Sequence, residues 1–168
     1  MKTIILMRHA DADFPDIAEV EQERSISVAG LWRVEKIKAI AADVFNGIDL
    51  VLCSHLKRAR QTLQELALAD LGEDRVIFDH TLSQISQTAL LDKIKWLPAH
   101  CSKVLIISHK PVLSQFLKVI GNYNTKLQEV VNCELLVLEA KVEAWHDVSY
   151  QTLKLKKRIV PNIADDSL

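Results

Sequence analysis

The chain has 168 residues, 49% of them hydrophobic and 26% charged, with a formal net charge of −1. That is the balance of a globular domain with enough apolar material for a proper core, and it excludes a generally basic nucleic-acid surface or a strongly charged membrane-binding face, so any anion site must be local. The three cysteines, Cys53, Cys101 and Cys133, are far apart and form no C-x-x-C pair, which argues against zinc and against a disulfide framework.

Thr3 to Met7 is a continuous apolar run, the pattern of a strand buried on both faces. It ends at Arg8-His9. Being so short, it does not suit a signal-peptide core. No stretch reaches membrane-spanning length. The expected protein is reduced, cytoplasmic and free of membrane. An acidic, polar loop follows to Arg24. Ser27 suits the N-cap of a helix running to about Phe45, with Leu31, Val34, Ile37, Ala41 and Val44 inward at helical spacing. Asp49 to Cys53 reads as a second buried strand. Leu56 to Ala69 reads as a helix with Ala59, Leu63, Leu66 and Ala67 inward. Arg75 to Phe78 reads as a short strand and Ala89 to Leu97 as a helix stopped at Pro98. Lys103 to Ile107 is a further buried strand, ending at Ser108-His109. Pro111 to Ile120 reads as a helix with proline in its first turn. Glu134 to Glu139 and Ser149 to Lys157 read as strands, the second carrying Lys154, Lys156, Lys157 and Arg158 as edge protection. Trp32, Trp96 and Trp145 read as packing residues, and His55, His80, His100 and His146 as surface or packing residues.

Strands alternating with helices predict an α/β fold: a three-layer α/β/α sandwich around a mainly parallel central sheet. A single domain over residues 1–160 with a loose tail at 161–168 is expected. In such a sheet the ligand site lies beyond the carboxyl ends of the strands. Two strands end there in a histidine, one beside Arg8 and the other just before a helix start that favours anions. Four segments converge if the fold is right: Arg8-His9-Ala10-Asp11, Arg24 to Gly30, Ser54 to Thr62, and Ile107 to Pro111.

In their order and spacing these segments, with S-x-x-x-R-A-x-Q-T over Ser54 to Thr62 the most specific, resemble the histidine phosphatase (phosphoglycerate mutase-like) superfamily, and within it the SixA-type phosphohistidine phosphatases. The resemblance covers Met1 to about Ile120. It implies a hydrolase that passes a phosphoryl group through a covalent phosphohistidine at His9, with Arg8, Arg58 and His109 gripping the phosphoryl oxygens. A neutral imidazole is a good nucleophile toward phosphorus, and a planar guanidinium gives paired, charge-assisted hydrogen bonds to the oxygens. Arg24, Ser54 and Ser108 are candidate phosphate or substrate contacts. Arg24 reads equally as a solvated loop charge, Ser54 equally as a helix cap, and Arg58, flanked by Lys57 and Arg60, alternatively as a surface arginine. No metal or cofactor is implied.

Two positions depart from the family pattern. Ala10 stands where glycine is usual, tolerable unless the backbone there needs positive φ. Thr81 to Ile85, where many members carry a glutamate proton donor, holds no acid. An alkoxide leaving group needs that proton, a factor of roughly 10²–10⁴ in rate, whereas an imidazole needs far less help. The expected substrate is therefore phosphohistidine on a signalling or phosphotransfer protein. Room for only one short helix between Thr81 and Cys101 suits an open site. Asp11 is the candidate substitute donor. The alternatives are a small-molecule phosphomonoesterase of the same superfamily, using a loop acid on a small phosphorylated substrate, and a non-catalytic phosphate- or phosphoprotein-binding module.

Overall fold

The computed structural model describes residues 1–14, 20–69, 71–121 and 129–162. Six strands form one sheet: β1 (Lys2–Arg8), β2 (Leu50–Ser54), β3 (Val76–Asp79), β4 (Lys103–Ser108), β5 (Leu135–Ala140) and β6 (Leu153–Ile159), in the spatial order β3-β2-β4-β1-β5-β6. The first four in that order run parallel; β5 pairs antiparallel with β1, and β6 antiparallel with β5. The expected three-layer sandwich is therefore present. The helices are α1 (Val28–Ile40), α2 (Ala42–Phe45), α3 (Lys57–Leu66), α4 (Gln87–Lys95) and α5 (Val112–Ile120).

Alternation along the strands divides the core in two. Ile5, Met7, Val51, Cys53, Leu105 and Ile107 pack with Val34, Ile37, Ala59 and Leu66 of α1 and α3. Ile4, Leu6, Leu52, Val104 and Ile106 pack on the other face with Leu90, Ile94, Leu113 and Phe116 of α4 and α5. A strand buried on both faces needs an apolar residue at every position, which is why β1 and β4 read as unbroken apolar runs. All three cysteines are buried free thiols.

Several elements differ from the sequence expectation. The helix expected from Ser27 to Phe45 is two helices meeting at Ala41, although Ser27 does cap the first, accepting from Gly30 N–H at 3.0 Å. Leu31 is not an inward residue but 39% exposed. Gly30 is buried in its place, because α1 presses there on the Asp11 backbone: a Cβ on Gly30 would lie 2.4 Å from the Asp11 carbonyl oxygen. α3 ends at Leu66, and Ala67 is an exposed left-handed cap with φ 45°, not an inward residue. β6 starts at Leu153 rather than Ser149, because Ser149 and Thr152 close a turn with their own side chains and backbone. Trp145 packs in the core, but Trp32 and Trp96 are 66% and 88% exposed. β6, with its lysines, is the sheet edge as expected. Residues 15–19 of the acidic loop and 163–168 of the expected tail lie outside the described residues.

Candidate active site

β1 and β4 are parallel neighbours in the register Arg8↔Ser108. The next residue on each strand is a histidine, so the two imidazoles emerge side by side, ring centroids 4.9 Å apart. His9 N–H still donates to the Ser108 carbonyl at 3.1 Å, holding that register one residue past the strand. β2 lies on the other side of β4 and ends at Ser54, whose Oγ is 2.6 Å from His109 Nε2. The strand order alone thus gathers Ser54, His109 and His9 at one sheet edge.

Arg58 reaches the same place from the first turn of α3. It and Thr62, one helical turn on, are both buried on the inner face of that helix. Thr62 Oγ1 donates to the Arg58 carbonyl at 2.7 Å and accepts from Ala10 N–H at 2.9 Å, joining α3 to the chain just after His9. Ala10 is fully buried and outside the positive-φ residues, so its methyl group is accommodated without strain.

His9 Nδ1 lies 2.7 Å from the Ala10 carbonyl oxygen. A carbonyl only accepts, so Nδ1 carries the hydrogen and Nε2 keeps its lone pair. Arg58 Nε–H donates to that Nε2 at 3.4 Å. Burial, only partly opposed by the Ala10 carbonyl, together with the positive charges of Arg58, Arg8 and Arg24 pushes the His9 pKa down to about 4. His109 is pushed down to about 3 by burial, then by His9 and Arg58. Both rings are neutral at pH 7. His109 Nδ1 is buried without a protein partner among the described residues.

Arg8, His9, Asp11, Ala12, Arg24, Arg58, His109, Lys110 and Asn132 line a cleft of about 290 Å³ over these rings. The expected Arg8, His9, Arg58, His109, Arg24 and Asp11 are therefore together. Arg8 Nη1 donates to the Val130 carbonyl at 2.9 Å. Arg24 is tied to the Asp13 and Ala12 carbonyls and to Glu21. Asp11 Oδ2 is 2.9 Å from Arg33 Nε, an ion pair without hydrogen-bond alignment. Ser54 and Ser108 are fully buried and outside the lining. Ser54 serves His109. Ser108 does not face the cleft, since its Oγ donates to the Leu82 carbonyl at 3.2 Å. His55 and His80 stack at 4.2 Å, also outside the lining.

Thr62 and Lys110 lie in the segments expected to converge but carried no assigned role, and Asn132 and Glu21 were not expected at the site. Asn132 Nδ2 donates to the His9 carbonyl at 2.9 Å, and Cys133 N–H, in a left-handed backbone with φ 59°, donates to the Arg8 carbonyl at 3.0 Å. The one legible signal was Thr62, a polar residue four after Arg58 on an otherwise apolar helix face. A larger groove of about 350 Å³, lined by residues such as Phe45, Ile48, Leu66 and Arg75, lies by the starts of β2 and β3, the sheet edge opposite the histidines.

No family model matches the chain. An uncharacterized protein of Picosynechococcus sp. is 29% identical over 111 residues, 66% of this chain and 67% of its own length. Among solved structures, a candidate SixA phosphohistidine phosphatase from Agrobacterium tumefaciens superposes with a TM-score of 0.78 at 22% identity, over 95% of this chain and 99% of that one. The protein histidine phosphatase SixA complexed with tungstate gives 0.76 at 18% identity, over 95% and 97%. A phosphoserine phosphatase from Entamoeba histolytica, in complex with 3-phosphoglyceric acid, gives 0.65 at 13% identity, over 94% and 96%. The chain has the fold of the histidine phosphatase, phosphoglycerate mutase-like, superfamily, in the form seen in the SixA-type structures.

Proposed function

We propose that this chain is a phosphatase of that superfamily, working through a covalent phosphohistidine at His9, and that its substrate is phosphohistidine on a signalling or phosphotransfer protein. The observation that carries this reading is the state of His9: a neutral ring with its Nε2 lone pair free of a proton, beside His109 and under three arginines. An imidazole held neutral by burial and then by neighbouring cations is a poor structural choice and a good nucleophile toward an anion.

In the first step the Nε2 lone pair forms a bond to phosphorus while the bond from phosphorus to the substrate's imidazole nitrogen breaks. The leaving ring takes a proton on its other nitrogen from solvent, with a pKa near ~6.5, and departs neutral. In the second step a water oxygen attacks phosphorus, the bond to His9 breaks with its electron pair returning to Nε2, the water's proton passes to solvent, and inorganic phosphate leaves. Arg8, Arg24 and Arg58 spread the negative charge of the transferring group. With Ser54 holding His109 Nε2, Nδ1 is the nitrogen left to donate to a phosphoryl oxygen.

An ester substrate would need a protonated acid at the leaving oxygen. Asp11, the acid of the cleft, is engaged with Arg33, which supports the phosphoramidate. Between Thr81 and Cys101 the chain forms only the rest of a 3₁₀ turn (His80–Ser83) and α4, and none of these residues lines the cleft, which supports an open site able to take a side chain displayed on another protein.

The test supplies a phosphotransfer protein labelled with phosphate on histidine. The expected result is acid-labile label on the wild type and none on His9→Ala, with turnover exceeding that of p-nitrophenyl phosphate at equal enzyme. Absence of label on the wild type would overturn the covalent reading. Faster turnover of the ester would overturn the substrate class.

A further inference from the structure

Glu21 opens a short 3₁₀ turn, Glu21–Glu23, that lies against Arg58. Arg58 Nη1 donates to the Glu21 carbonyl oxygen at 3.0 Å, and Arg58 Nη2 is 3.4 Å from Glu21 Oε1. The same Oε1 accepts from Arg24 Nη1 at 3.0 Å. One carboxylate oxygen therefore bridges two guanidinium groups that line the cleft, one of which also reaches His9 Nε2. Two neighbouring guanidiniums repel, and an anion between them relieves that repulsion.

Two features make this anion replaceable. The turn is held to Arg58 by its backbone carbonyl, so the side chain can rotate away while the turn stays. The Glu21 side chain is 60% exposed, and exposed ion pairs are individually weak.

We infer that Glu21 is a resident anion: its carboxylate rests on Arg24 and Arg58 in the empty site, the incoming phosphoryl group displaces it, and this exchange raises the affinity an anion needs before it occupies the site. The inference rests on the reading of the cleft as a phosphoryl site. Attraction scales with the product of charges, so a dianionic phosphoryl group outcompetes a carboxylate carrying one charge. A phosphodiester or a carboxylate ligand, singly charged, meets the same rival with less attraction of its own, so it occupies the site only at higher concentration. Once Glu21 leaves, the Nη1 contact to its carbonyl remains and keeps the Arg58 fork aimed, while Nη2 is released to a phosphoryl oxygen.

Glu21→Gln keeps the side chain's shape and removes its charge. The probes are inorganic phosphate and dimethyl phosphate, titrated calorimetrically into the full chain at pH 7.5 and low ionic strength. Glu21→Ala, which also keeps the backbone contact, serves as the second variant. Removing the carboxylate is expected to tighten inorganic phosphate about three- to tenfold, the size of one to two exposed ion pairs. Dimethyl phosphate is expected to gain by the same factor, because both ligands displace the same carboxylate. If wild type binds phosphate and both variants bind it equally or more weakly, the resident-anion role is overturned and the phosphatase reading stands. If neither the wild type nor the variants bind phosphate, both are overturned.

Discussion

Lowering the pH from 7 to 5 should cost this fold stability through its two cleft histidines. His9 and His109 are only 8% and 5% exposed, with pKa values pushed down to about 4 and about 3. In the unfolded chain each ring has an ordinary pKa near ~6.5. Below that value the unfolded state takes up protons that the folded state refuses, so stability falls as pH falls. The loss begins near pH 6.5 and stops growing near pH 4 for His9 and pH 3 for His109. Between pH 7 and pH 5 the linkage relation gives about 2 kcal/mol for each ring, against a typical total of about 5–15 kcal/mol for a domain. Carboxylates held down by lysine partners, such as Asp43 by Lys157 and Glu129 by Lys110, lose their contribution only below about pH 5, which leaves this window to the histidines.

The measurement is urea unfolding at pH 7 and pH 5 in buffers free of phosphate, since a bound anion would raise both pKa values. The unfolding free energy of the wild type should drop by about 3–4 kcal/mol over this interval. His9→Gln and His109→Gln should each remove a large part of that dependence, whatever they do to stability at pH 7; a remainder belongs to His55, whose pKa is also lowered, by burial and then by His80 and Arg60. The reasoning fails if the doubly substituted protein shows the wild-type pH dependence, or if the two ring C–H resonances of the folded wild type titrate near 6.5.

Thr62→Val keeps shape but leaves the buried Ala10 N–H without its acceptor, and should cost about 1–3 kcal/mol in urea unfolding. Because Thr62 also ties α3 to the residue after His9, kcat/KM on a phosphohistidine substrate should fall about ten- to a hundredfold; unchanged kinetics would count against this anchoring. Gly30→Ala drives a methyl group into the Asp11 carbonyl oxygen, a backbone atom, and should cost about 1–3 kcal/mol in thermal or urea unfolding.

The sheet was legible because its central strands carry an apolar residue at every position, and the two histidines stand immediately after such runs. Element ends were less legible, since they depend on single backbone states. The exposed αL residue Ala67 ends α3 and the Ser149–Thr152 turn delays β6, and neither carries a glycine or proline to announce it. At Leu31 the helical period was right for most of α1 and failed in its first turn, where contact with the Asp11 backbone admits only the glycine one residue earlier.

At the site, the histidines and arginines that line the cleft were legible, and the residues that hold them were not. Ser108 shows the difference. Alternation puts it on the same face of β4 as Val104 and Ile106, the α4–α5 face, where its hydroxyl meets Leu82 instead of the cleft. Histidine and arginine announce their chemistry by type, whereas Asn132, Thr62 and Glu21 act by meeting backbone or charge 37 to 123 residues away. Such contacts follow from strand order, which brings β1, β2 and β4 together, and strand order is fixed by packing over the whole sheet. Once that order is known the supports follow in turn. His9 needs a carbonyl at Nδ1 to present its lone pair, Arg58 needs Thr62 to face it, and paired guanidiniums need an anion when no substrate is bound.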